Sequence, residues 1–266
     1  MALAYADGVL EVTLNRPETR NALTLAMVEQ IERVCEQVAS REEVRAMVLR
    51  GAGGHFCAGA DLREVMAGGL QPARDGTDPI EVSSRRFGTM LRKVGRVPAV
   101  VIAVCEGSVL GGGFGLVCVS DIALAHETAK FGLPETRRGL PPAQIAPFVV
   151  ERVGLTQARR LCLTGAEFRG SEARQLGIVH DTFGDEDELA RKLAETVARV
   201  RECAPHANAV TKAIVLDAAR QDMDAVLDAA ARQFAGCARG AEAPEGISAF
   251  LQKRKAKWAV AENNEE

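Results

Sequence analysis

Two glycine-rich stretches of this chain hold the residues best suited to chemistry. They read His55-Phe56-Cys57-Ala58-Gly59-Ala60-Asp61 and Leu110-Gly111-Gly112-Gly113-Phe114-Gly115. Each follows a predicted strand and opens a predicted helix, over Gly59–Met66 in the first case and Gly112–Val119 in the second. Small residues at such junctions leave backbone N–H groups open to a ligand, and the positive end of the helix dipole reinforces them. Two junctions could therefore donate two hydrogen bonds to one carbonyl oxygen, which is an oxyanion hole that stabilises an enolate.

A candidate acid/base group lies in the segment Phe131-Gly132-Leu133-Pro134-Glu135. Taken by itself, a glutamate after a proline is usually a solvated surface residue. A carboxylate in an apolar pocket, in contrast, has a raised pKa and can act as a general acid at neutral pH. His55 precedes the strand-to-helix turn, so we interpret it as an exposed loop histidine. We interpret Asp61 as a partner of the helix dipole in the first helical turn.

The elements that must position these residues alternate between strand and helix. Strands are predicted at Val9–Leu14, Val44–Leu49 and Ala99–Val104, and helices at Thr24–Ala39 and from Glu81 to about Val94. The stretch Ala67–Pro79, rich in Gly, Pro and Asp, is predicted to be a flexible loop. This alternation favours an α/β architecture with parallel strands.

The chain divides where the predicted strands stop, near Asp185. We expect an α/β core over residues 1–184 that carries the site, and a helical region over residues 185–266. Leu189, Leu193, Val197 and Val200 mark one face of the first helix of the second region. The tail Glu262–Glu266 is expected to fray.

Composition excludes several classes of protein. The 266 residues are 47% apolar and 26% charged, with a formal net charge of -3, which gives no support for a nucleic-acid or basic membrane binder. The sequence shows neither a signal-peptide pattern nor an apolar run of membrane-spanning length. Seven cysteines without a C-x-x-C pair indicate buried thiols in a reducing compartment. These features predict a soluble cytoplasmic protein without a metal site.

Taken together, the two junctions resemble the paired signatures of the crotonase (enoyl-CoA hydratase/isomerase) superfamily. The resemblance covers nearly the whole chain, because further motifs of the family follow in the same order. These are Asn15-Arg16-Pro17, Asn21-Ala22-Leu23, Ser120-Asp121, Phe131-Gly132-Leu133-Pro134-Glu135, Leu163-Thr164-Gly165, Gly177-Ile178-Val179 and the segment from Glu245 to Lys255.

The resemblance implies a spiral of β-β-α turns, an acyl-CoA thioester as substrate and no separate cofactor, since coenzyme A is part of the substrate. It assigns the two oxyanion donors to the backbone N–H groups of Ala60 and Gly112. It also assigns proton exchange at the α-carbon of the thioester to Glu135. The C-terminal helices are implied to build a homotrimer, often paired into a hexamer, and to complete the ligand site of the neighbouring subunit.

The same resemblance implies the contacts of the CoA moiety. Arg20 matches a frequent phosphate contact, and the backbone around Ala58 is expected to receive the adenine end. Phe250 and Lys253 match residues that reach the nucleotide end from the neighbouring subunit. The basic run that begins at Lys253 could equally be a solvated helix face.

Two departures from the family bear on the reaction. Typical hydratases carry a second catalytic glutamate where this chain has Gly115, and a glycine-rich run where it has residues 141–148. Both departures resemble a bacterial subgroup that hydrates branched glutaconyl-type thioesters, such as 3-methylglutaconyl-CoA or isohexenylglutaconyl-CoA. A missing side chain at Gly115 would make room for a branch at the β-carbon. Arg137 and Arg138 are candidates to pair with the carboxylate of such a substrate, or are solvated or paired between subunits.

The leading hypothesis is hydration of a 2-enoyl-CoA, with Glu135 as the acid/base residue. The alternative is isomerisation of a 3-enoyl-CoA to a 2-enoyl-CoA, for which one carboxylate suffices. A decarboxylase, which needs only the oxyanion hole, ranks third. A non-catalytic trimeric scaffold or RNA-associated protein is disfavoured by the acidic balance of charge and by the intact Glu135.

Overall fold

The computed structural model describes residues 1–67 and 78–260 of the chain. Within these ranges the strands are Ala2–Ala6 (β1), Val9–Leu14 (β2), Ala46–Gly51 (β3), Val100–Cys105 (β4), Ser108–Leu110 (β5), Ile122–His126 (β6), Lys130–Gly132 (β7), Glu167–Arg169 (β8) and Asp181–Phe183 (β9). The α-helices are Leu25–Ala39 (α1), Leu62–Ala67 (α2), Pro79–Arg96 (α3), Gly112–Val119 (α4), Ala146–Thr164 (α5), Gly170–Gln175 (α6), Glu186–Glu202 (α7), Pro205–Ala218 (α8), Met223–Arg239 (α9) and Glu242–Leu251 (α10).

The strands form two sheets. The larger has the order β1-β2-β3-β4-β6-β9, and the smaller the order β5-β7-β8. From β2 to β9 the strands of the larger sheet run parallel, as predicted, whereas β1 pairs with β2 in an antiparallel hairpin that the sequence analysis missed. In the smaller sheet β5 and β7 are parallel, and β8 closes the edge antiparallel to β7.

Both faces of the larger sheet are covered, which explains why its central strands are apolar throughout. Met47 and Leu49 of β3 lie in the core that contains α1, α3 and α4, while Val48 of the same strand points to the opposite face. On that opposite face, Leu189 and Val197 of α7 pack against the sheet. The alternation of neighbouring residues between two cores follows from the two-residue period of a strand.

Most predicted elements lie where the sequence placed them. The strand Val9–Leu14 and the helix Gly112–Val119 have the predicted bounds, and Thr24 caps α1 by accepting a hydrogen bond from Met27 N. The predicted helix over Gly59–Met66 is wrong in its first turn, because α2 begins only at Leu62. The residues before Leu62 form a parallel bridge with the Leu23 segment instead. The predicted loop over Ala67–Pro79 and the predicted frayed tail fall largely outside the described residues.

The last strand ends at Phe183, and α7 to α10 follow it. Asp185 opens this helical part by accepting a hydrogen bond from Glu188 N at 2.8 Å. Two half-buried cations connect this C-terminal part to the segments next to the sheet. Arg45 donates to Val200 O and Trp258 O, and Lys212 Nζ lies 2.6 Å from Asp121 Oδ2. The division into two regions at residue 184 stays a prediction. No helix within residues 1–67 and 78–260 is long and apolar enough to cross a membrane.

Candidate active site

The first glycine-rich junction runs beside β5 after leaving β3. Cys57 N donates to Ser108 O at 2.8 Å, and Leu110 N donates back to Cys57 O at 2.9 Å. Ala58 N donates to Arg20 O at 2.9 Å, which attaches the junction to the segment before α1. Gly59 then adopts a φ of +99°, a conformation that residues with a Cβ rarely adopt.

The second junction leads from β5 into α4. Gly111 has φ +50° and ψ -114°, and its N–H donates to Gly132 O of β7 at 3.0 Å. Its carbonyl accepts the first hydrogen bond of α4, from Gly115 N at 3.0 Å. The turn therefore requires glycine for its conformation, and it ties β7 to the start of the helix.

The two junctions touch through bare backbone. A Cβ built on Gly59 would lie 3.5 Å from Gly112 N and 3.7 Å from Gly111 Cα. A Cβ built on Gly113 would lie 2.5 Å from Cys57 O and 2.7 Å from Cys57 Cβ. Side chains at these positions would force the junctions apart, so the glycines set the spacing between them.

The orientation of the two donor N–H groups follows from the planarity of the peptide. The N–H and the C=O of a trans peptide point to opposite edges, so holding one directs the other. The carbonyl of Gly59 accepts from Leu23 N at 2.8 Å, which turns the N–H of Ala60 the opposite way. The carbonyl of Gly111 points along α4, which turns the N–H of Gly112 outward at the start of the helix. Within the described part of the chain, neither donor has an acceptor. Two backbone donors left free in this way could serve together as an oxyanion hole.

Glu135 stands beside this pair of donors. It lies in the 3₁₀ turn Pro134–Arg138 that follows β7, and a Cβ built on Gly111 would lie 2.6 Å from Glu135 Oε1. Three aromatic rings pack β7, the strand that leads into this turn, against β8 and α4. Phe131 and Phe168 stack at 5.9 Å, and Phe114 meets both edge-on, at 6.1 Å and 6.2 Å respectively.

The carboxylate of Glu135 is electrostatically unusual. Its Oε2 is buried and has no hydrogen-bond partner among the described residues. Burial raises the pKa of the Glu135 carboxyl above its ordinary value, although a hydrogen bond from its own backbone and the charge of Arg138 oppose the shift. A carboxyl in this state can hold and release a proton at neutral pH.

The position of the missing second carboxylate is apolar. Gly115 is buried, and a Cβ built on it would lie 3.2 Å from Leu91 Cδ1 and 3.3 Å from Ile145 Cγ1. The sequence predicts free room at this position, but the side chains of Leu91 and Ile145 already fill it. Phe87, from α3 as Leu91 is, lies against the donor glycine, with its Cζ 3.0 Å from a Cβ built on Gly112.

Asp61 is engaged within the protein. Its Oδ2 accepts from both terminal nitrogens of Arg16 at 3.0 Å, and its Oδ1 accepts from Arg63 N at 3.2 Å. Burial opposes ionisation, but the hydrogen bonds from Arg16 and the following backbone outweigh it, and hold the pKa of the Asp61 carboxyl below its ordinary value. Arg16 also donates to Ala22 O at 2.7 Å, so the pair joins the segment before α1 to the first junction.

Two residues near the first junction have roles that the sequence analysis did not assign. His55 is half-buried rather than exposed, because its Nδ1 accepts from Ser108 N at 3.0 Å. Asn21 is fully buried at φ +58°, accepts from Arg16 N at 2.8 Å and donates to the carbonyls of Ala52 and His55. Asparagine tolerates the left-handed conformation better than most residues, so its residue type is the one signal by which the sequence could have pointed to Asn21.

The predicted ligand contacts lie at the surface. Arg20 is exposed, and the hydrogen bond from Ala58 N to its carbonyl places it next to Ala58. Arg137 is exposed and pairs with Glu167 Oε1 at 3.7 Å. Phe250, on α10, is 82% exposed, and Lys253 is exposed just beyond that helix. In the described ranges, no group of three or more His, Cys, Asp and Glu residues could hold a metal ion.

Comparisons with known proteins agree with this architecture. The family model described as enoyl-CoA hydratase/isomerase matches residues 4–261. The chain is 33% identical over 261 residues to 2,3-dehydroadipyl-CoA hydratase of Escherichia coli (strain K12), covering 96% of each chain. It is 30% identical over 249 residues to 1,2-epoxyphenylacetyl-CoA isomerase of the same organism, covering 93% of each.

Among solved structures, Pseudomonas aeruginosa AtuE is 52% identical and superposes with a TM-score of 0.92, over 97% of this chain and 99% of that one. The match extends over nearly the whole length of every protein compared, and so includes both glycine-rich junctions, the turn that carries Glu135 and the C-terminal helices. This chain therefore belongs to the enoyl-CoA hydratase/isomerase family and has the crotonase fold.

Proposed function

We propose that this enzyme adds water to a 2-enoyl-CoA thioester and yields a 3-hydroxyacyl-CoA. Ala60 and Gly112 donate their N–H groups to the thioester oxygen, and Glu135 is the acid/base residue. The observation that carries the proposal is the carboxylate of Glu135, packed against Gly111. Its Oε2 is buried, and among the described residues neither this atom nor the neighbouring Gly112 N–H has a hydrogen-bond partner. Buried polar atoms are normally satisfied, so a substrate or water is the natural partner of this one.

One carboxylate can carry the whole addition. Ionised Glu135 takes a proton from water while the water oxygen bonds to the β-carbon, and the electrons of the double bond move to the thioester oxygen. The two N–H groups stabilise the resulting enolate. The Glu135 carboxyl then returns the proton to the α-carbon, and the thioester carbonyl re-forms. Both new bonds form on the side where Glu135 lies, which predicts syn addition.

The substrate we propose carries a branch or a second carboxylate. Leu91 and Ile145 make the side of the site at Gly115 apolar, which suits an apolar branch at the β-carbon once their side chains shift to admit it. The Escherichia coli relative named for 2,3-dehydroadipyl-CoA handles an acyl group with a distal carboxyl. Arg137 and Arg138 follow Glu135 and are exposed, so we assign the recognition of such a carboxylate to them. Arg137 would first have to leave Glu167.

We assign the CoA moiety to the surface beside Arg20 and Ala58. Phe250 and Lys253 would complete it from a neighbouring subunit of a trimer or a hexamer. Support for self-association comes from the large apolar side chains that the C-terminal helices expose. These are Val215, Met223, Leu227, Phe234, Ile247, Phe250 and Leu251. Large apolar side chains exposed in this number on helices that pack together favour burial against another subunit.

A second candidate function is the migration of a double bond from the 3- to the 2-position. The apolar wall at Gly115 offers no second carboxylate to hold a water, and a single glutamate can move a proton from the α- to the γ-carbon. The relative named 1,2-epoxyphenylacetyl-CoA isomerase shows that the family includes isomerases.

Ultraviolet absorbance of the conjugated thioester separates these functions. Purified protein is given a matched pair of 2-enoyl-CoA and 3-enoyl-CoA, each in a straight-chain and a 3-methylglutaconyl form. Decay of the conjugated band on the 2-enoyl substrate supports hydration, and preference for the branched form supports the proposed pocket. Growth of the band on the 3-enoyl substrate alone would establish the isomerase instead.

Two variants make the test specific to the proposed residue. Glu135→Gln removes the acid/base group and is expected to lower turnover by about 10²–10⁴-fold. Glu172→Gln makes the same chemical change on the exposed surface of α6, where Glu172 pairs with Arg160 at 3.6 Å, and is expected to keep full activity. Full activity in Glu135→Gln would refute the assignment of Glu135.

A further inference from the structure

The thiol of Cys57 contacts both the N–H and the C=O of Gly59. The next N–H along the chain, that of Ala60, is one of the two proposed oxyanion donors. Cys57 is fully buried, and its Sγ accepts a hydrogen bond from Gly59 N at 3.4 Å. Its S–H points back to Gly59 O at 3.9 Å, the carbonyl that also accepts from Leu23 N. The peptide between Gly59 and Ala60 is thus held on its carbonyl edge by two donors.

The backbone of Cys57 contacts the second junction as well. Its N–H and C=O are both hydrogen-bonded to β5, the strand that leads into Gly111. The Cys57 carbonyl and Cβ lie so close to Gly113 that a Cβ there would be 2.5 Å from Cys57 O and 2.7 Å from Cys57 Cβ. Cys57 therefore touches the two structures that carry the donors, the Gly59 turn and the first turn of α4.

We infer that Cys57 is a positioning residue for the oxyanion hole, with its thiol setting the orientation of the Ala60 N–H and its backbone setting the distance to α4. The inference rests on the proposed role of Ala60 and Gly112 as donors. Gly59 has no side chain to limit rotation, so the hydrogen bonds on its peptides are what fix the direction of the next N–H. Without the thiol, the buried N–H of Gly59 has no acceptor, and the peptide can turn to find one.

The thiol is suited to this role because it stays protonated. Burial raises the pKa of the Cys57 thiol to about 12, with only partial compensation from the hydrogen bond of Gly59. At neutral pH the group is therefore at once an acceptor through sulfur and a donor through S–H.

The experiment compares Cys57→Ala, Cys57→Ser and, as a matched control, Cys105→Ala. Cys105 is an equally buried thiol in β4, so its substitution deletes the same group without touching a donor peptide. Two quantities are measured, the kcat and KM on the best substrate of the absorbance assay, and the infrared stretching frequency of a ¹³C-labelled thioester carbonyl bound to each protein. An oxyanion hole lowers that frequency by polarising the carbonyl.

We expect Cys57→Ala to lower kcat about 10-fold, less than the ~10²–10³-fold loss from deleting an oxyanion donor outright, with KM within about 2-fold of the wild type. Its bound carbonyl should shift back toward the frequency in water. Cys57→Ser keeps a hydrogen-bond donor and an acceptor, so it should restore most of the kcat and most of the carbonyl frequency shift. Cys105→Ala should match the wild type. If Cys57→Ala does not fold, Cys57→Val carries the same readouts, since its somewhat larger apolar side chain fills the site without an acceptor.

Wild-type kcat and carbonyl frequency in a folded Cys57→Ala or Cys57→Val protein would overturn the inference. Equal losses in Cys57→Ala and Cys105→Ala would do the same, because they would show a general packing effect. A wild-type protein that does not shift the bound carbonyl at all would overturn the proposed oxyanion hole itself. The two failures are therefore distinguishable.

Discussion

Replacing Gly113 by alanine tests whether close backbone contact between the two junctions sets the geometry of the oxyanion hole. The new Cβ would lie 2.5 Å from Cys57 O and 2.7 Å from Cys57 Cβ. Real Cβ atoms do not approach so closely, and neither contact is with the flexible end of a side chain. The first junction and α4 would therefore have to move apart.

The size of the effect follows from that separation. Relieving both contacts requires a movement approaching 1 Å, and overpacking of this kind costs ~1–3 kcal/mol of folding free energy. The same movement spreads the N–H groups of Ala60 and Gly112, which must converge on one oxygen. A misplacement of about 1 Å in catalytic geometry can lower turnover by about 10²-fold. We therefore expect both a less stable and a much slower enzyme.

The assay pairs thermal unfolding with the absorbance assay, and Gly115→Ala is the matched control on the same helix. The nearest contacts of a Cβ on Gly115 would be side-chain atoms of Leu91 and Ile145 at 3.2–3.4 Å, which need move only a few tenths of an ångström, so its cost should stay below ~1 kcal/mol. It should mainly change the preference between branched and straight substrates. If Gly113→Ala were as stable and as fast as Gly115→Ala, the argument from backbone contact would be refuted.

Three further outcomes follow from the structure. Glu135→Gln should raise stability by on the order of 1 kcal/mol at pH 7. The raised pKa of Glu135 means that folding opposes its ionisation, so the gain in stability should vanish at pH values below the ordinary glutamate pKa. Chemical unfolding measured over a series of pH values checks this, and a larger gain at acid pH would contradict it. Hydration by one carboxylate should rise with pH to a single plateau as Glu135 ionises, and a bell-shaped kcat profile would instead indicate a second titrating group. Asn21→Ala, which loses three buried hydrogen bonds, should cost ~2–4 kcal/mol in thermal unfolding, whereas Asn15→Ala on the exposed surface should cost little.

Local patterns were enough to predict the elements next to the site. Period-two alternation predicted Val9–Leu14, and apolar residues at three- and four-residue spacing predicted the helix Thr24–Ala39, which the structure shows as α1. Short strands such as β5, β7 and β8 escaped prediction because three residues carry too little periodicity. The prediction that a helix begins at Gly59 was wrong because Ala60 forms a bridge with Leu23, more than 30 residues earlier, and this contact overrides the local preference.

Residue types alone also determined part of the site. Glycines at 59, 111 and 113 indicated bare backbone that a ligand could approach, and the missing carboxylate at Gly115 is visible in the sequence itself. Those conclusions need only the size of a side chain. The sequence could not decide the state of any polar group, since that depends on neighbours brought from elsewhere in the chain. Thus Asp61 is paired with Arg16, and His55 is half-buried against Ser108.

Tertiary structure alone decided the chemistry of Glu135. A glutamate after proline is solvated in most contexts, but here the turn after β7 places the carboxylate against Gly111. Burial then leaves Oε2 without a partner and raises the pKa of the carboxyl. The sequence by itself determined which groups are present and which backbone is exposed. The fold decided their electrostatics and direction, because desolvation and hydrogen bonding depend on distances between residues far apart in the chain.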